Sequence, residues 1–170
     1  MADFDIVALI LAEHDTFRRS FISLEQLTDE SELRSAWQEI ADQLEVHASA
    51  EEVVFYPELL KEVPGEESDT EHAVHAVHDH NEIRDAVRAV EGPAVGSDEW
   101  WDAVKNARTV TADHLEEEEH DVLPPFKDTV SAELRDDLGM KWLAYHDEHE
   151  GARGLSGADK DPEQYVAERT

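Results

Sequence analysis

Residues 46–57 read VHASAEEVVFYP, and residues 113–124 read DHLEEEEHDVLP. Both stretches carry a histidine, a glutamate four places on, and a proline ten places after the histidine. On an α-helix, positions four apart lie on one face, about 40° apart around the axis. His47 and Glu51 therefore point the same way, as do His114 and Glu118. A single His-x-x-x-Glu means little in a chain this rich in glutamate. Two copies with matched prolines are much harder to obtain by chance.

A second pair of segments repeats as well. EHDTFRR (13–19) aligns with DHNEIRD (79–85), setting His14 against His80 at an offset of 66, while His47 and His114 are offset by 67. His14 falls within the apolar stripe Ile10, Leu11, Phe17 and Phe21, and His80 within Ala73, Val77, Ile83 and Val87, so both are expected to face a core. If the four segments pack as a bundle, four imidazoles and two carboxylates meet in its interior. Buried carboxylates must be paired or must coordinate a metal. Six protein ligands can serve one cation, but two use them better. With both glutamates bridging and two histidines for each metal, every metal has four protein ligands. An oxo or hydroxo bridge adds a fifth and leaves one position open. Imidazole with carboxylate suits iron, with zinc and manganese as competitors. The competing account is a set of hydrogen-bonded core histidines.

The elements that must position these residues are all helical by period. The first runs from Ile6 through Phe21, with Asp3 or Asp5 as its cap. The second runs from about Ser31 to Lys61 through Leu33, Trp37, Ile40, Leu44, Val54 and Phe55, and Pro64-Gly65 is expected to end it. The third spans about Asp69 to Glu91. GPAVGS (92–97) is a turn, and Ser97 caps a fourth helix through Trp101, Val104, Val110 and Leu115 to about Lys127. Pro57, Pro124 and Pro125 should kink or stop their helices. The expectation is an all-α, antiparallel up-down-up-down four-helix bundle built as two related hairpins. A short fifth helix over Ala132 to Glu150 completes a domain at 1–150. Residues 151–170 have the composition of a flexible tail.

The chain has 170 residues with 43 acidic against 14 basic side chains, a net charge of −29, and is 40% hydrophobic. That is enough apolar content for one core. Such a charge repels nucleic acid and anionic membrane, so neither is expected as a partner. With no cysteine, disulfides, thiolate metal sites and iron–sulfur clusters are excluded. The apolar run near the N-terminus has acidic flanks and no cleavage signal, so neither a signal peptide nor a membrane span is expected, and a cytoplasmic location is the simplest reading.

Taken together, H…HxxxE…H…HxxxE over about residues 5–128 resembles a haemerythrin-like domain of the bacterial HHE (cation-binding) type. The resemblance implies a non-haem di-iron centre inside the bundle, with His14, His47, Glu51, His80, His114 and Glu118 as ligands. Oxygen-carrying haemerythrins have a fifth histidine one turn before the third-helix ligand, where this chain has Ala76. His72, His75 and His78 are rotated from His80 by about 80°, 140° and 160°, and read as a solvated face, although His75 stays a candidate extra ligand. The missing histidine weakens an oxygen-carrier reading.

Around the six lie further candidates. Tyr56, matched in the repeat by Leu123, is a hydrogen-bond donor beside the site, a phenolate ligand, or a packed core residue; packing is the simpler reading. Glu52 and Glu119 are rotated by about 100° from their neighbours and read as exposed, although Glu119 competes with Glu118 in register. Asp121 shares the His114 face. His146 and His149 read as a solvated surface, and the tryptophans as packing. The first functional reading is consumption of a small oxidant (hydrogen peroxide, nitric oxide or dioxygen) in stress protection, with an electron donor that the sequence does not identify. Reversible binding of dioxygen or nitric oxide for carriage, storage or sensing is the second. A metal that merely braces the helices is the third.

Overall fold

The computed structural model describes residues 4–62 and 67–170. Among these there is no β-strand, and four long rods form the expected bundle. Helix α1 (Ile6–Leu24) packs on α2 (Glu30–Ala50), and α4 (Glu67–Val90) packs on α5 (Asp98–Glu117). The two hairpins close through contacts of α1 with α5 and of α2 with α4.

Local chemistry sets the helix starts. Asp5 accepts from the Val7 N–H, Asp29 from those of Ser31 and Glu32, and Ser97 from that of Trp100. Each satisfies a donor that the first turn leaves without a partner. Asp3 and Pro64-Gly65 lie outside the described residues.

At the prolines the regular α-helical pattern is interrupted, and the interruption takes the form of a π-helical turn. After α2 the chain runs through a π-helical turn, Glu51–Phe55, into α3 (Tyr56–Glu62). After α5 the same happens over Glu118–Val122, leading into α6 (Leu123–Thr129). The Tyr56 N–H reaches the Glu51 carbonyl and the Leu123 N–H reaches that of Glu118, both five residues back. Pro57 and Pro124 have no N–H to offer the carbonyl four residues back. The wide turn absorbs one residue and lets the rod continue.

Helix α7 (Ala132–Glu148) lies across α1 and α2. A single 3₁₀ turn (Glu150–Ala152) follows, then α8 (Pro162–Ala167). The segment expected to be a mobile tail packs on α4, where Tyr165 and Val166 are buried. Its polar composition hides these two anchors.

The core comes in two apolar clusters. One holds Ile10, Val54, Val77 and Val122; the other holds Phe17, Leu44, Ile83 and Val104. Each rod passes from one cluster to the other through His14, His47, His80 or His114. Leu11, expected within the stripe, is exposed instead.

Candidate metal centre

Between those clusters lies a polar layer in which His14, His47, Glu51, His80, His114 and Glu118 are all buried. Their side-chain atoms fall into two groups, within each of which the candidate ligand atoms lie within 4.8 Å of one another: His14, His47, Glu51 and Glu118, and then Glu51, His80 and His114. Glu51 belongs to both. Its Oε1 lies 3.1 Å from His47 Nε2 and its Oε2 lies 3.1 Å from His80 Nε2. Glu118 Oε2 lies 3.3 Å from His14 Nε2 and 3.7 Å from His114 Nε2. Each carboxylate thus touches histidines from both hairpins.

Four of these buried atoms have no hydrogen-bond partner: His14 Nε2, His47 Nε2, Glu51 Oε1 and Glu118 Oε2. They belong to the same four residues that make the first group. His47 Nε2 and Glu51 Oε1 are close, yet they are not aimed at each other in hydrogen-bond geometry. Buried polar atoms are nearly always satisfied. A donor set of imidazole nitrogens and carboxylate oxygens turned toward one another fits a cation of borderline hardness.

The outward nitrogens explain why Nε2 points inward. His47 Nδ1 lies 2.8 Å from Glu13, His14 Nδ1 2.9 Å from Glu119, His80 Nδ1 2.9 Å from Glu52, and His114 Nδ1 3.4 Å from Asp79. Carboxylates only accept, so each Nδ1 carries a proton, and the Nε2 atoms face the centre. The repeat holds here too. Glu13 and Asp79 each precede a histidine of their own helix and serve the next helix. Glu52 and Glu119 each follow the inward glutamate.

Electrostatics follow from this mesh. Burial alone would lower the His47 pKa, but Glu51 and Glu13 raise it to about 10. His114 is likewise raised against its burial, by Glu118, Asp79 and Glu51. Burial would raise Glu13, but His146 and His47 bring it down to about 2. Glu52 is also held at about 2, against burial, by His80, Arg84 and Lys160. A cation entering the centre must therefore displace protons from imidazoles.

Tyr56 is fully buried, and its hydroxyl donates to Glu118 Oε1. It stands beside the centre, beyond the plain packing role. Burial and the Glu118 charge push its phenol well above the ordinary tyrosine range. Glu119 is 22% exposed and braces His14. Asp121 is exposed, and so is His75, whose Nδ1 lies 3.8 Å from Glu117. Neither reaches the centre, because both stand on outward faces of their helices. His120 is also exposed and bonds the Glu116 carbonyl of its own helix.

Sequence reasoning missed Glu13, Glu52 and Asp79. Glu52 was expected to be exposed and is 0% exposed, because it faces the seam with α4 and the C-terminal segment covers it. The signal lay in position: all three adjoin an inward residue. His146 and Trp142 are also more than surface and packing, since both bond Glu13. A groove of about 1020 Å³ reaches this spot, lined by Glu13, Phe17, Glu39, Asp42, Val46 and His146 among others.

Residues 5–126 match the family described as the Hemerythrin HHE cation binding domain. A curated protein of Nostoc sp. (strain PCC 7120 / SAG 25.82 / UTEX 2576), named DNA nickase, is 25% identical over 142 residues. That match covers 84% of this chain but 39% of the Nostoc protein, so the chain spans about two fifths of that relative's length. No solved structure matches the chain.

Proposed function

The chain belongs to the haemerythrin HHE cation-binding family, and from that premise we propose a non-haem di-iron protein that binds and redox-processes small oxidants. The observation that carries this reading is the pair of histidine–carboxylate groups sharing Glu51, with four buried atoms left unpartnered in the first of them. One iron would be held by His14, His47, Glu51 and Glu118, the other by His80, His114 and Glu51, with Glu118 close by. Such a pair of irons would supply one-electron redox chemistry toward a small oxidant.

The chain's own residues do the rest. Glu13, Glu52, Asp79 and Glu119 fix the orientations of the imidazole rings. Tyr56 keeps its proton on the hydrogen bond to Glu118 Oε1 and so fixes that carboxylate's orientation. The apolar clusters on either side exclude water. Ala76, buried one turn before His80, puts a methyl group where a fifth histidine would stand, which supports an open position.

Charge narrows the substrate. The net charge is −29, and carboxylates line the groove that reaches Glu13. Neutral molecules such as hydrogen peroxide, nitric oxide and dioxygen approach such a surface more easily than anions do. The same field opposes a nucleic-acid substrate, so the name of the Nostoc relative is not carried over to this chain.

The test is loss of peroxide or nitric oxide from solution with iron-loaded protein and an added reductant. Turnover above that of free iron is expected. A stable band that forms and reverses on removing the gas, without turnover, would favour reversible binding instead. Full burial of the six residues is the feature that favours that second reading.

A further inference from the structure

The two halves of the centre are related by the repeat, yet the stretch from Gly157 to Tyr165 bonds residues that adjoin His80 and Glu51. Glu119 braces His14, and Arg18, four residues after His14, lies 2.9 Å from Glu119. Glu52 braces His80, and Arg84, four residues after His80, lies 3.2 Å from Glu52. So far the halves agree. Glu119 is 22% exposed, whereas Glu52 is fully buried and contacts a second cation, Lys160 Nζ. Arg84 is meanwhile shared with Glu45 at 2.8 Å.

Lys160 is delivered by a fastened strap. Asn81, the residue after His80, donates to the Lys160 carbonyl at 2.7 Å and accepts from its N–H at 3.0 Å. Arg88 holds the Gly157 carbonyl at 3.0 Å and Asp159 at 2.8 Å. The Tyr165 hydroxyl donates to the Glu52 carbonyl at 2.5 Å. The strap is therefore pinned to the residues that directly follow His80 and Glu51. In the repeat, Asn81 corresponds to Asp15, which the described strap does not reach.

We propose that Lys160 is a positioning residue for the metal position formed by His80, His114 and Glu51, and that it makes the two positions unequal in metal release. It acts through Glu52. A carboxylate sealed from water needs its charge matched before it can hold a fixed bond to the His80 Nδ1–H. Arg84, divided between two glutamates, does not supply a full match. Without Lys160, water must enter to solvate Glu52, and the His80 ring loses its fixed orientation. The His14 half has no such dependence, because Glu119 already meets solvent. The inference rests on the two-metal reading above.

The experiment uses full-length protein loaded anaerobically with ferrous iron and challenged with a ferrous chelator. Stoichiometry is measured first. If wild-type protein does not hold two equivalents, the two-metal reading fails and this inference fails with it. If it holds two, Lys160→Met is expected to release one equivalent about ten-fold faster, at the low end for outer partners of metal ligands, with the other unchanged. Lys160→Arg should restore the wild-type trace, and Arg18→Met, the corresponding change beside solvent-exposed Glu119, should leave both equivalents unchanged. Lys160 is 40% exposed, so the methionine variant does not force a new group into the core. An unchanged trace in Lys160→Met, equal acceleration of both equivalents, or failure of arginine to rescue would each overturn the proposal while leaving the two-metal reading intact.

Discussion

Glu51 Oε2 lies 3.1 Å from His80 Nε2, while the other oxygen of the same carboxylate lies 3.1 Å from His47 Nε2 on a neighbouring helix. One carboxylate therefore belongs to both halves of the centre. Glu51→Gln keeps the shape but replaces one of the two oxygens with an NH₂ that cannot bind a cation. The variant is expected to retain its helical circular dichroism and to hold no more than one iron per chain. Two tightly held irons in the variant would show that Glu51 is not shared.

Protons compete with metal here, and the sign of the competition follows from the shifts. The His47 pKa is raised to about 10, so its contribution to stability is complete below the ordinary histidine value near 6.5 and is lost as pH rises toward 10. His114 shifts in the same direction. Glu13 is depressed to about 2, so its contribution is present above the ordinary value near 4.5 and fades as pH falls toward 2. Metal-free protein should be most stable between about pH 4.5 and 6.5. Urea midpoints should fall from pH 7 to pH 9 while iron affinity rises over the same interval. Parallel rises in both would contradict the assignment.

Tyr56 donates its hydroxyl proton to Glu118, and its phenol is held well above the ordinary tyrosine range by burial and the Glu118 charge. Iron-loaded protein should therefore lack a visible phenolate-to-iron band, and Tyr56→Phe should keep two irons per chain. Loss of the hydrogen bond is expected to cost the metal-free fold about 1–3 kcal/mol, because Glu118 stays buried. A visible band in wild-type protein that vanishes in Tyr56→Phe would make the tyrosine a ligand.

Gly139, on α7, packs against the chain just before α1. A Cβ there would lie 1.4 Å from the Phe4 carbonyl oxygen and 2.6 Å from its carbon. Backbone cannot yield as a flexible side chain does. Gly139→Ala should destabilise the fold by about 1–3 kcal/mol, read as a lower Tm, by displacing the residues that lead into α1. An unchanged Tm would show that the two segments are not in close contact.

The paired HxxxE blocks made the six converging residues legible, because a period of four keeps His and Glu on one helix face and burial does the rest. What the period could not reveal was the layer behind them. Glu52 sits about 100° from Glu51, which reads as solvent until a neighbouring helix and the C-terminal strap occupy that side. Glu13 hides in the same way beneath Trp142 and His146 of α7. The prolines at 57 and 124 marked a disturbance, but a missing N–H is satisfied equally by a stop, a kink or a wide turn. The strap escaped notice because Tyr165 and Val166 are isolated apolar residues in a polar stretch, too few to set a period.

The central claim is that two cations lie between the two hairpins, and metal counting tests it most directly. Full-length protein reconstituted anaerobically with excess ferrous salt and freed of loosely held ions should retain two irons per chain. Replacing His14 or His80 with alanine should each remove about one equivalent in the manner of a lost ligand. Wild-type protein that retains none or one, under conditions where its helices are intact, would contradict the account.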